Sequence, residues 1–454
     1  MKNVNTCLLL IDYWYLVEPN DISILQNISK EMKLLLSSNI HDCLGGGFFE
    51  NSTSAHPNQY IKLLSTNALL ISSYARLFGL TQLLEFRIVV EKSINCLQST
   101  LLVPIGLLGE SSRPQDLANN QYLVHPKTIF QALNEAQLKY ITEYMQITSP
   151  QSLDQLQLLT PQVSIKALTK HSTNSIQEIH GVVLEGIATL ADERKKQLRL
   201  EIDTSCGVGS NALFTIALYD AGRFLSNNNY IHYAHTSVQI LIDNFFKDDR
   251  LHFNSLQDAN LVLQALLYNL QFRFDYSLFQ VVIQIANQVE QLLNDQSETA
   301  THTITHPTLF ENLKLIAFLS GNNSLLHVCN TYQINLNRMV ENNQPLQPDQ
   351  ALTLYTLNHC TDIIIIFGNT IAEIDNWFQY LIIGYHPNRK IFKLYPTKTT
   401  IINHQFQEWI NSSSTCAVLF KNGTPSQTFT KLLDIVKAID SPIHENCIGA
   451  QLEL

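Results

Sequence analysis

Hydrophobic residues recur along most of the chain at intervals of three and four positions. This spacing places them on one face of a helix, because an α-helix has 3.6 residues per turn. Three stretches show the pattern most clearly, at residues 60–78, 256–270 and 278–293. Further helices are predicted at roughly 5–17, 21–42, 82–101, 126–147, 175–199, 210–226, 229–246, 306–320, 323–340 and 348–360. The short connections between these segments favour antiparallel helical hairpins.

The pattern changes near residue 360. The apolar run from Asp362 to Gly368 is typical of a buried strand, and β-forming residues dominate Ile391 to Tyr395 and Cys416 to Phe420. Helical stretches are predicted around residues 371–383 and 428–439. The sequence therefore predicts a mainly α protein, with a helical domain at residues 1–360 and a small α/β section at residues 361–454.

Composition and charge narrow the classes of function. With 45% hydrophobic residues the chain can bury a large core, which excludes a disordered protein. The net charge of −10 and the absence of a basic stripe argue against a nucleic-acid partner. No run of about 18 apolar residues and no secretory signal are found, so we expect no membrane partner and a cytoplasmic location. The eight cysteines show no Cys-x-x-Cys pair, and no metal site is predicted.

A glycine-rich motif at residues 207–212 was tested for cofactor binding. The sequence Gly-Val-Gly-Ser-Asn-Ala fits the dinucleotide pattern G-x-G-x-x-A. However, the expected strand-helix-strand context is missing, because two successive helices are predicted over residues 213–246, and no acidic residue follows at the position that would bind a ribose. The motif is therefore interpreted as a loop at a helix start, and no cofactor is predicted.

Several segments, taken together, resemble one protein family. Residues 39–48 read Asn-Ile-His-Asp-Cys-Leu-Gly-Gly-Gly-Phe, and residues 59–70 read Gln-Tyr-Ile-Lys-Leu-Leu-Ser-Thr-Asn-Ala-Leu-Leu. They are similar to the Gly-Gly-Ile-x-Asp-x-Leu-Gly-Gly-Gly-Phe and His-Phe-Glu-Lys-Met-Leu-Tyr-Asp-Asn-Ala-x-Leu signatures of the thioredoxin domain-containing family, which includes spermatogenesis-associated and bacterial YyaL-like proteins. Segments 211–223, 256–258, 312–315, 386–388 and 417–422 resemble later motifs of that family in the same order.

This resemblance implies a specific architecture. The expected fold is an (α/α)6 barrel of the six-hairpin type, shared with glycosidase-like and sugar-epimerase-like proteins, followed by the small α/β section. The family's N-terminal thioredoxin-like domain has no counterpart here, because Met1 falls roughly where the family's barrel begins. One hypothesis that follows is a barrel subunit that works with a separate thioredoxin-like protein partner.

Several residues that differ from the family pattern replace side chains that could transfer a proton. In the second signature the family's His, Glu and Asp are replaced by Gln59, Ile61 and Thr66, while Lys62 and Asn67 remain. An isoleucine cannot donate or accept a proton, so no acid or base is left at position 61. The resemblance thus implies that part of the family's polar site has been lost.

The residues that remain in matched motifs are the candidate site residues. Phe48, Lys62, Asn67 and Asn211 are predicted to bind substrate, and Asp258 is the best candidate for a catalytic carboxylate. The alternative interpretation of Asp258 is a first-turn acid that is favourable to the helix dipole, and that of Phe48 is core packing. The loops that carry these motifs are expected to meet at the mouth of the barrel, at residues 45–67, 106–122, 203–211 and 254–260.

Three hypotheses of function follow. We favour a degenerate barrel that serves as a non-catalytic carbohydrate-binding or interaction module. The alternatives are a glycosidase-like or epimerase-like enzyme that uses Asp258 with a second acid, and the subunit with a thioredoxin-like partner. Glycoside hydrolysis needs two carboxylates on either side of the scissile bond, and the other acids near loop positions are Glu50, Glu110 and Asp203. The sequence alone does not fix the distance between any two of these carboxylates.

Overall fold

A computed structural model describes residues 5–50, 60–115, 121–147, 158–295, 307–359, 362–368, 370–382, 386–387, 389–395, 402–410, 414–421 and 423–439. The chain divides into two compact units with interleaved segments. The first takes Gln26–Tyr74 and Leu84–Gly207, and the second takes Lys2–Leu25, Ala75–Leu83 and Val208–Leu454. The C-terminal α/β section therefore belongs to the same compact unit as the helices from Val208 onward.

Helices make up most of the described chain. They are α1 (Asn5–Leu16), α2 (Ile22–Leu36), α3 (Leu64–Thr81), α4 (Leu84–Leu101), α5 (Pro126–Ala132), α6 (Glu135–Tyr144), α7 (Ile165–Leu168), α8 (Ile176–Gln197), α9 (Val208–Phe224), α10 (Asn228–Phe245), α11 (Leu256–Phe272), α12 (Tyr276–Asp295), α13 (Thr308–Ser320), α14 (Asn323–Glu341), α15 (Pro348–Asn358), α16 (Ile371–Ile382), α17 (Gln407–Ile410) and α18 (Leu432–Ile439). The strands are β1 (Lys62–Leu63), β2 (Ser111–Pro114), β3 (Leu200–Asp203), β4 (Phe246–Lys247), β5 (Arg250–Leu251), β6 (Asp362–Phe367), β7 (Arg389–Leu394), β8 (Cys416–Lys421) and β9 (Thr424–Phe429).

In the first unit, α8 is the helix around which α5, α6 and α7 pack. Two of these helices begin at capping boxes, in which Asn134 pairs with Gln137 and Ser175 pairs with Glu178. Each box supplies partners to backbone amides that the first helical turn leaves without acceptors. The Asn134 cap also explains why residues 126–147 form two helices, where the sequence pattern predicts one.

A small antiparallel sheet in the first unit has the order β1-β2-β3. Lys62 is paired with Ser112, which in turn is paired with Ile202. The segment 106–122, predicted as a loop of the barrel mouth, supplies the central strand of this sheet. Its residues 116–120 lie outside the described residues, as do residues 51–59 of the predicted barrel mouth.

In the second unit, consecutive helices form hairpins, with α9 packed on α10, α11 on α12 and α13 on α14. Alternate helices also contact one another in the order α9, α11, α13 and α15. Gly222 allows α9 and α10 to approach closely, because a Cβ there would lie 2.3 Å from Cδ1 of Ile231. The predicted succession of antiparallel helical hairpins is therefore confirmed in this unit.

The C-terminal section contains a sheet with the order β7-β6-β8-β9. Strands β6 and β7 are parallel and joined through α16, whereas β8 and β9 are antiparallel to their neighbours. Ile364 and Ile366 face Trp377 and Phe378 of α16 in a buried cluster. The prediction of a mainly helical protein with a small α/β section at its C-terminal end is confirmed. Strand β9, which is almost entirely exposed and polar, was not predicted because it has no hydrophobic alternation.

Candidate functional site

The Gly-Gly-Gly loop of the first unit is held by a buried group of three charges. Arg194 donates two hydrogen bonds to Asp42, each 2.8 Å long, and Nζ of Lys62 donates to the same carboxylate at 2.7 Å. Lys62 also donates to the carbonyl of Gly46 at 2.6 Å, and the Asp42 side chain accepts from the amide of Gly45. This triad therefore fixes the path of the loop.

The electrostatics of the triad are those of a compensated buried ion cluster. Burial alone would raise the pKa of Asp42, but the charges of Arg194 and Lys62 outweigh burial and hold it well below its usual range. Burial alone would lower the pKa of Lys62, but the charge of Asp42 outweighs burial and raises it. The three groups therefore stay charged across the physiological pH range, which suits a structural role and not proton transfer.

Three of the predicted substrate-binding residues meet at this loop. Asn67 accepts a hydrogen bond from the amide of Phe48 at 2.7 Å and donates to its carbonyl at 2.9 Å. Phe48 and Asn67 are 0% exposed and Lys62 is 2% exposed. The two signature segments at residues 39–48 and 59–70 thus pack against each other, and the polar atoms named here bind the loop itself.

The other two predicted site residues lie in the second unit. Asn211 is buried in the first turns of α9. Asp258 lies in the first turn of α11, where its carboxylate accepts from the amide of Asn254 at 3.2 Å and its own amide donates to Ser255 at 3.2 Å. A Cβ at Gly209 would lie 2.1 Å from this carboxylate, so the Gly-x-Gly motif makes room for Asp258.

The second unit contains a cavity of about 450 Å³. This volume is within the range of small-molecule sites in proteins. Its lining comes from α1, from the end of α3, from α9, α11, α13 and from the residues around β7. Charged and amide side chains are concentrated in the wall, which includes Asp12, Arg76, Asp220, Arg223, Gln264, Gln271, Glu311, Asn312, Lys314, His386, Arg389 and Lys390.

Glu311 lies in the first turn of α13, and its carboxyl group lines the cavity. Its Oε1 accepts a hydrogen bond from the Thr353 hydroxyl at 2.8 Å. No other residue in the described part of the chain donates to its carboxylate, so Oε2 keeps its lone pairs. Oε1 is therefore hydrogen-bonded within the protein, and Oε2 is the oxygen that a ligand in the cavity can reach.

The environment shifts the protonation of Glu311 and of Lys390, which also lines the cavity. Burial raises the pKa of Glu311 to about 7, against the opposing effects of the Thr353 hydrogen bond and the Lys390 charge. Burial likewise lowers the pKa of Lys390, and the charge of Glu311 opposes this. A carboxyl with a pKa near 7 is present in both protonation states at neutral pH, which is the property of a general acid or base.

Two further carboxylates in the wall are ion-paired with one guanidinium. Nε of Arg76 donates to Asp220 at 3.0 Å, and Nη1 donates to Asp12 at 3.3 Å. Tyr268 also donates to Asp220, over 3.4 Å. Asp12 and Asp220 therefore have an opposite charge beside them, in contrast to Glu311, whose raised pKa reflects incomplete compensation.

The remaining wall combines amides and aromatic rings. Asn312 donates to Asn260 at 2.8 Å, and Asn260 donates to Thr308 at 2.8 Å, which fixes the orientation of the Asn312 amide. Tyr268 and Phe272 present aromatic surface to the cavity. Amides that form directed hydrogen bonds and rings that offer apolar faces are the groups that bind polyhydroxylated molecules.

Sequence reasoning did not select Glu311 or its neighbours. It considered acids near loops, whereas Asp12, Asp220 and Glu311 lie within helices, among apolar residues. A signal was nevertheless present, because Asn312 opens one of the motifs that resemble the family and Glu311 directly precedes it. His386 opens another such motif and also lines the cavity, although Asn388 lies outside the described residues.

The described residues hold neither a metal cluster nor a membrane-spanning helix. No group of three or more His, Cys, Asp or Glu side chains suited to hold a metal ion occurs there. Over the same ranges, every helix falls short of the length and hydropathy needed to cross a membrane.

Comparisons with known proteins give little further guidance. No profile of a known protein family matches the sequence. A comparison with curated protein sequences likewise gives no match. Among solved structures, the crystal structure of a sugar epimerase from a ruminal bacterium is similar over 63% of this chain and 74% of that chain, at 10% identity and a TM-score of 0.29. A TM-score of this size does not establish a shared fold.

The loop held by the triad yields a prediction for stability. Gly46 has φ +83°, and a Cβ there would lie 2.4 Å from the backbone carbonyl oxygen of Lys92. Gly46→Ala is therefore expected to lower the free energy of unfolding by at least about 2 kcal/mol, measured by urea denaturation. The matched control is Gly181→Ala, which meets no atom within 4 Å and should leave stability unchanged or raise it by up to about 1 kcal/mol. A Gly46→Ala variant as stable as the parent would contradict this account of the loop.

The raised pKa of Glu311 yields a prediction for the pH dependence of stability. The carboxyl titrates near pH 7 when folded and near its ordinary 4.5 when unfolded, so the folded state retains a proton that the unfolded state has lost. The resulting stabilisation is complete below about pH 4.5 and disappears as the pH rises through 7. Glu311→Gln does not titrate, so relative to this variant the parent should lose up to about 3 kcal/mol between pH 4.5 and 8.5 in urea denaturation.

The control for this experiment is Glu408→Gln, which changes an exposed glutamate of the same unit. The difference in stability between this control and the parent should be independent of pH over the same range. If the Glu311→Gln variant behaves in the same way as the control, the carboxyl of Glu311 has an ordinary pKa.

Proposed function

We propose that the second unit is an acid–base enzyme acting on a polyhydroxylated small molecule of the carbohydrate class, with Glu311 as the group that transfers the proton. The observation that carries this proposal is the Glu311 carboxyl in the cavity wall, with a pKa of about 7 and with Oε2 accepting no hydrogen bond from the described residues. Positioned acids and bases of matched pKa typically accelerate reactions by 10² to 10⁴.

The surrounding wall supports this chemistry. The Thr353 hydrogen bond on Oε1 fixes the orientation of the carboxyl, so that Oε2 can meet a hydroxyl, a glycosidic oxygen or a carbon-bound proton of the substrate. Amides such as Asn312 and aromatic rings such as Tyr268 are placed to orient sugar hydroxyls and ring faces. Asp12 and Asp220 are the other carboxylates in the same wall, and glycoside hydrolysis would use one of them together with Glu311.

A second candidate function is a carbohydrate-binding module without turnover. The same cavity, amides and aromatic rings would serve it. The specific observation in its favour is that Asp12 and Asp220, the other carboxylates of the wall, are ion-paired with Arg76. This candidate differs from the enzyme in one measurable respect, because a ligand would bind and remain unchanged.

We also propose that the chain is a divergent relative of the thioredoxin domain-containing family. The packing of residues 39–48 against residues 59–70 around Asp42 supports it, because the best-matched parts of the two signatures, Gly45 to Phe48 and the pair Lys62 and Asn67, are the parts that form the triad and its loop. Cooperation with a separate thioredoxin-like protein and the roles predicted for Phe48, Lys62, Asn67, Asn211 and Asp258 in substrate binding or catalysis stay predictions.

The test of the enzymatic proposal is turnover by the full chain. A panel of 4-nitrophenyl glycosides reports hydrolysis, and incorporation of deuterium from D₂O into aldoses and ketoses, followed by NMR, reports proton abstraction at carbon. Where a substrate is found, Glu311→Gln should lower kcat/KM by at least about 100-fold. The pH dependence of kcat/KM in the parent should show an inflection near pH 7, set by the Glu311 carboxyl.

Glu408→Gln serves as the control and should retain the activity of the parent. Two results would contradict the enzymatic proposal. The first is undiminished turnover in Glu311→Gln, and the second is saturable binding of a sugar with no turnover of any compound in the panel. The second result would establish the binding module instead.

A further inference from the structure

The charge of the cavity wall differs in sign from that of the whole protein. The chain carries a net charge of −10. The described lining of the cavity contains five cationic side chains and three carboxylates, an excess of two positive charges. The cations are Arg76, Arg223, Lys314, Arg389 and Lys390, and the carboxylates belong to Asp12, Asp220 and Glu311. A positive concave surface on an acidic protein attracts anions, because a low-dielectric cavity concentrates the field of its charges.

Hydrogen bonds to the main chain hold most of these cations in the wall. Four of the five donate to main-chain carbonyls at 3.0 Å, as Arg223 does to Ile382, Lys314 to Leu357, Arg389 to Ile439 and Lys390 to Pro387. The fifth cation, Arg76, forms ion pairs with the carboxylates of Asp12 and Asp220, which compensate its charge.

Lys390 is the cation of the wall whose charge is disfavoured by its enclosure. It forms no salt bridge with a carboxylate in the part of the chain that the structure describes, and its ammonium contacts the Pro387 carbonyl. The charges of Glu311 and Asp12 favour its charged form, whereas those of Arg76 and Arg223 oppose it. An anion near Lys390 would stabilise its charged form, which enclosure in the wall disfavours.

We infer that the substrate of this cavity carries an anionic group, a carboxylate or a phosphate on a polyhydroxylated molecule, and that Lys390 binds that group. The inference rests on the proposed function, since it concerns the same cavity, and it adds the class of substrate. Lys390 donates a charge-assisted hydrogen bond to the anion, and Arg223 contributes a second positive charge from the adjacent wall. When the anionic group is bound at Lys390, the carboxyl of Glu311 faces the neighbouring sugar portion of the molecule.

The experiment is isothermal titration of the full chain with three matched sets of ligands at pH 6.5. The sets are glucose, galactose and mannose, the three corresponding uronates, and the three corresponding hexose 6-phosphates. Inorganic phosphate alone is included to detect binding of a bare anion. Uronates or hexose phosphates should bind at least about 10-fold more tightly than their parent hexoses, and the set that does so identifies the anionic group.

The variants make the result specific to Lys390. Lys390→Gln should weaken the binding of the preferred anionic sugar by about 10- to 100-fold, and Lys390→Arg should retain most of the affinity because the charge is kept. Lys431→Gln, at an exposed lysine of the same unit, should bind as the parent does. Thermal unfolding of each variant verifies that the fold is retained.

The outcomes separate this inference from the proposed function. If neutral hexoses bind as tightly as their anionic derivatives, or if Lys390→Gln folds and binds anionic sugars unchanged, the inference is overturned while an enzyme for neutral sugars still stands. Binding of inorganic phosphate as tight as that of hexose phosphates would also overturn it, because the sugar portion would then contribute nothing. If no compound of any set binds, both this inference and a carbohydrate substrate are rejected.

Discussion

The enclosure of Glu311 in the wall of a charged cavity is the interaction on which the functional account depends. A carboxylate moved out of water without a full set of partners is costly, and the group responds by holding its proton to a higher pH. Here Thr353 satisfies one oxygen, and the positive charge of Lys390 compensates the carboxylate only in part. The balance leaves the pKa of Glu311 near 7 and gives the cavity an acid that can also act as a base.

The contrast with Asp42, which is 1% exposed, shows why a fully compensated carboxylate is structural and a partly compensated one is a candidate for chemistry. Asp42 accepts two hydrogen bonds from Arg194 and one from Lys62, so its charge is stabilised and does not change at ordinary pH. Removing one partner of such a cluster typically costs about 3 to 5 kcal/mol, since an uncompensated charge is left behind. Glu311 lacks that set of partners. The same fold thus uses full compensation to hold a loop and partial compensation to maintain a titratable group.

Local patterns in the sequence were sufficient to predict most of the architecture. Helical periodicity located the hairpins, and the apolar run at Asp362–Phe367 located the central strand of the C-terminal sheet. The local patterns missed β9, whose polar residues carry no hydrophobic alternation, and the break between α5 and α6, which the Asn134 cap creates. In each case the structure depends on a partner strand or a cap, which periodicity does not encode.

The candidate site could not be predicted in the same way, because its residues are brought together by tertiary packing. Asp12, Arg76, Asp220, Glu311 and Lys390 come from five separate segments of the chain, and none stands out in its own segment except as a charge within an apolar helix or strand. Conversely, Lys62 and Asn67 stood out in a matched motif, yet their hydrogen bonds are made to the loop that the motif forms. The matched motifs therefore identified residues that hold a loop and did not identify most of the residues that line the cavity.

The most direct test of the account is a titration of the Glu311 carboxyl itself. Infrared spectra of the full chain labelled with ¹³C-glutamate, recorded from pH 3 to pH 9 and subtracted from those of Glu311→Gln, isolate the protonated and ionised bands of this one side chain. The account predicts a midpoint near pH 7 for the difference signal. A midpoint near pH 4.5, the ordinary value for a glutamate, would contradict it and would remove the basis for acid–base chemistry in the cavity.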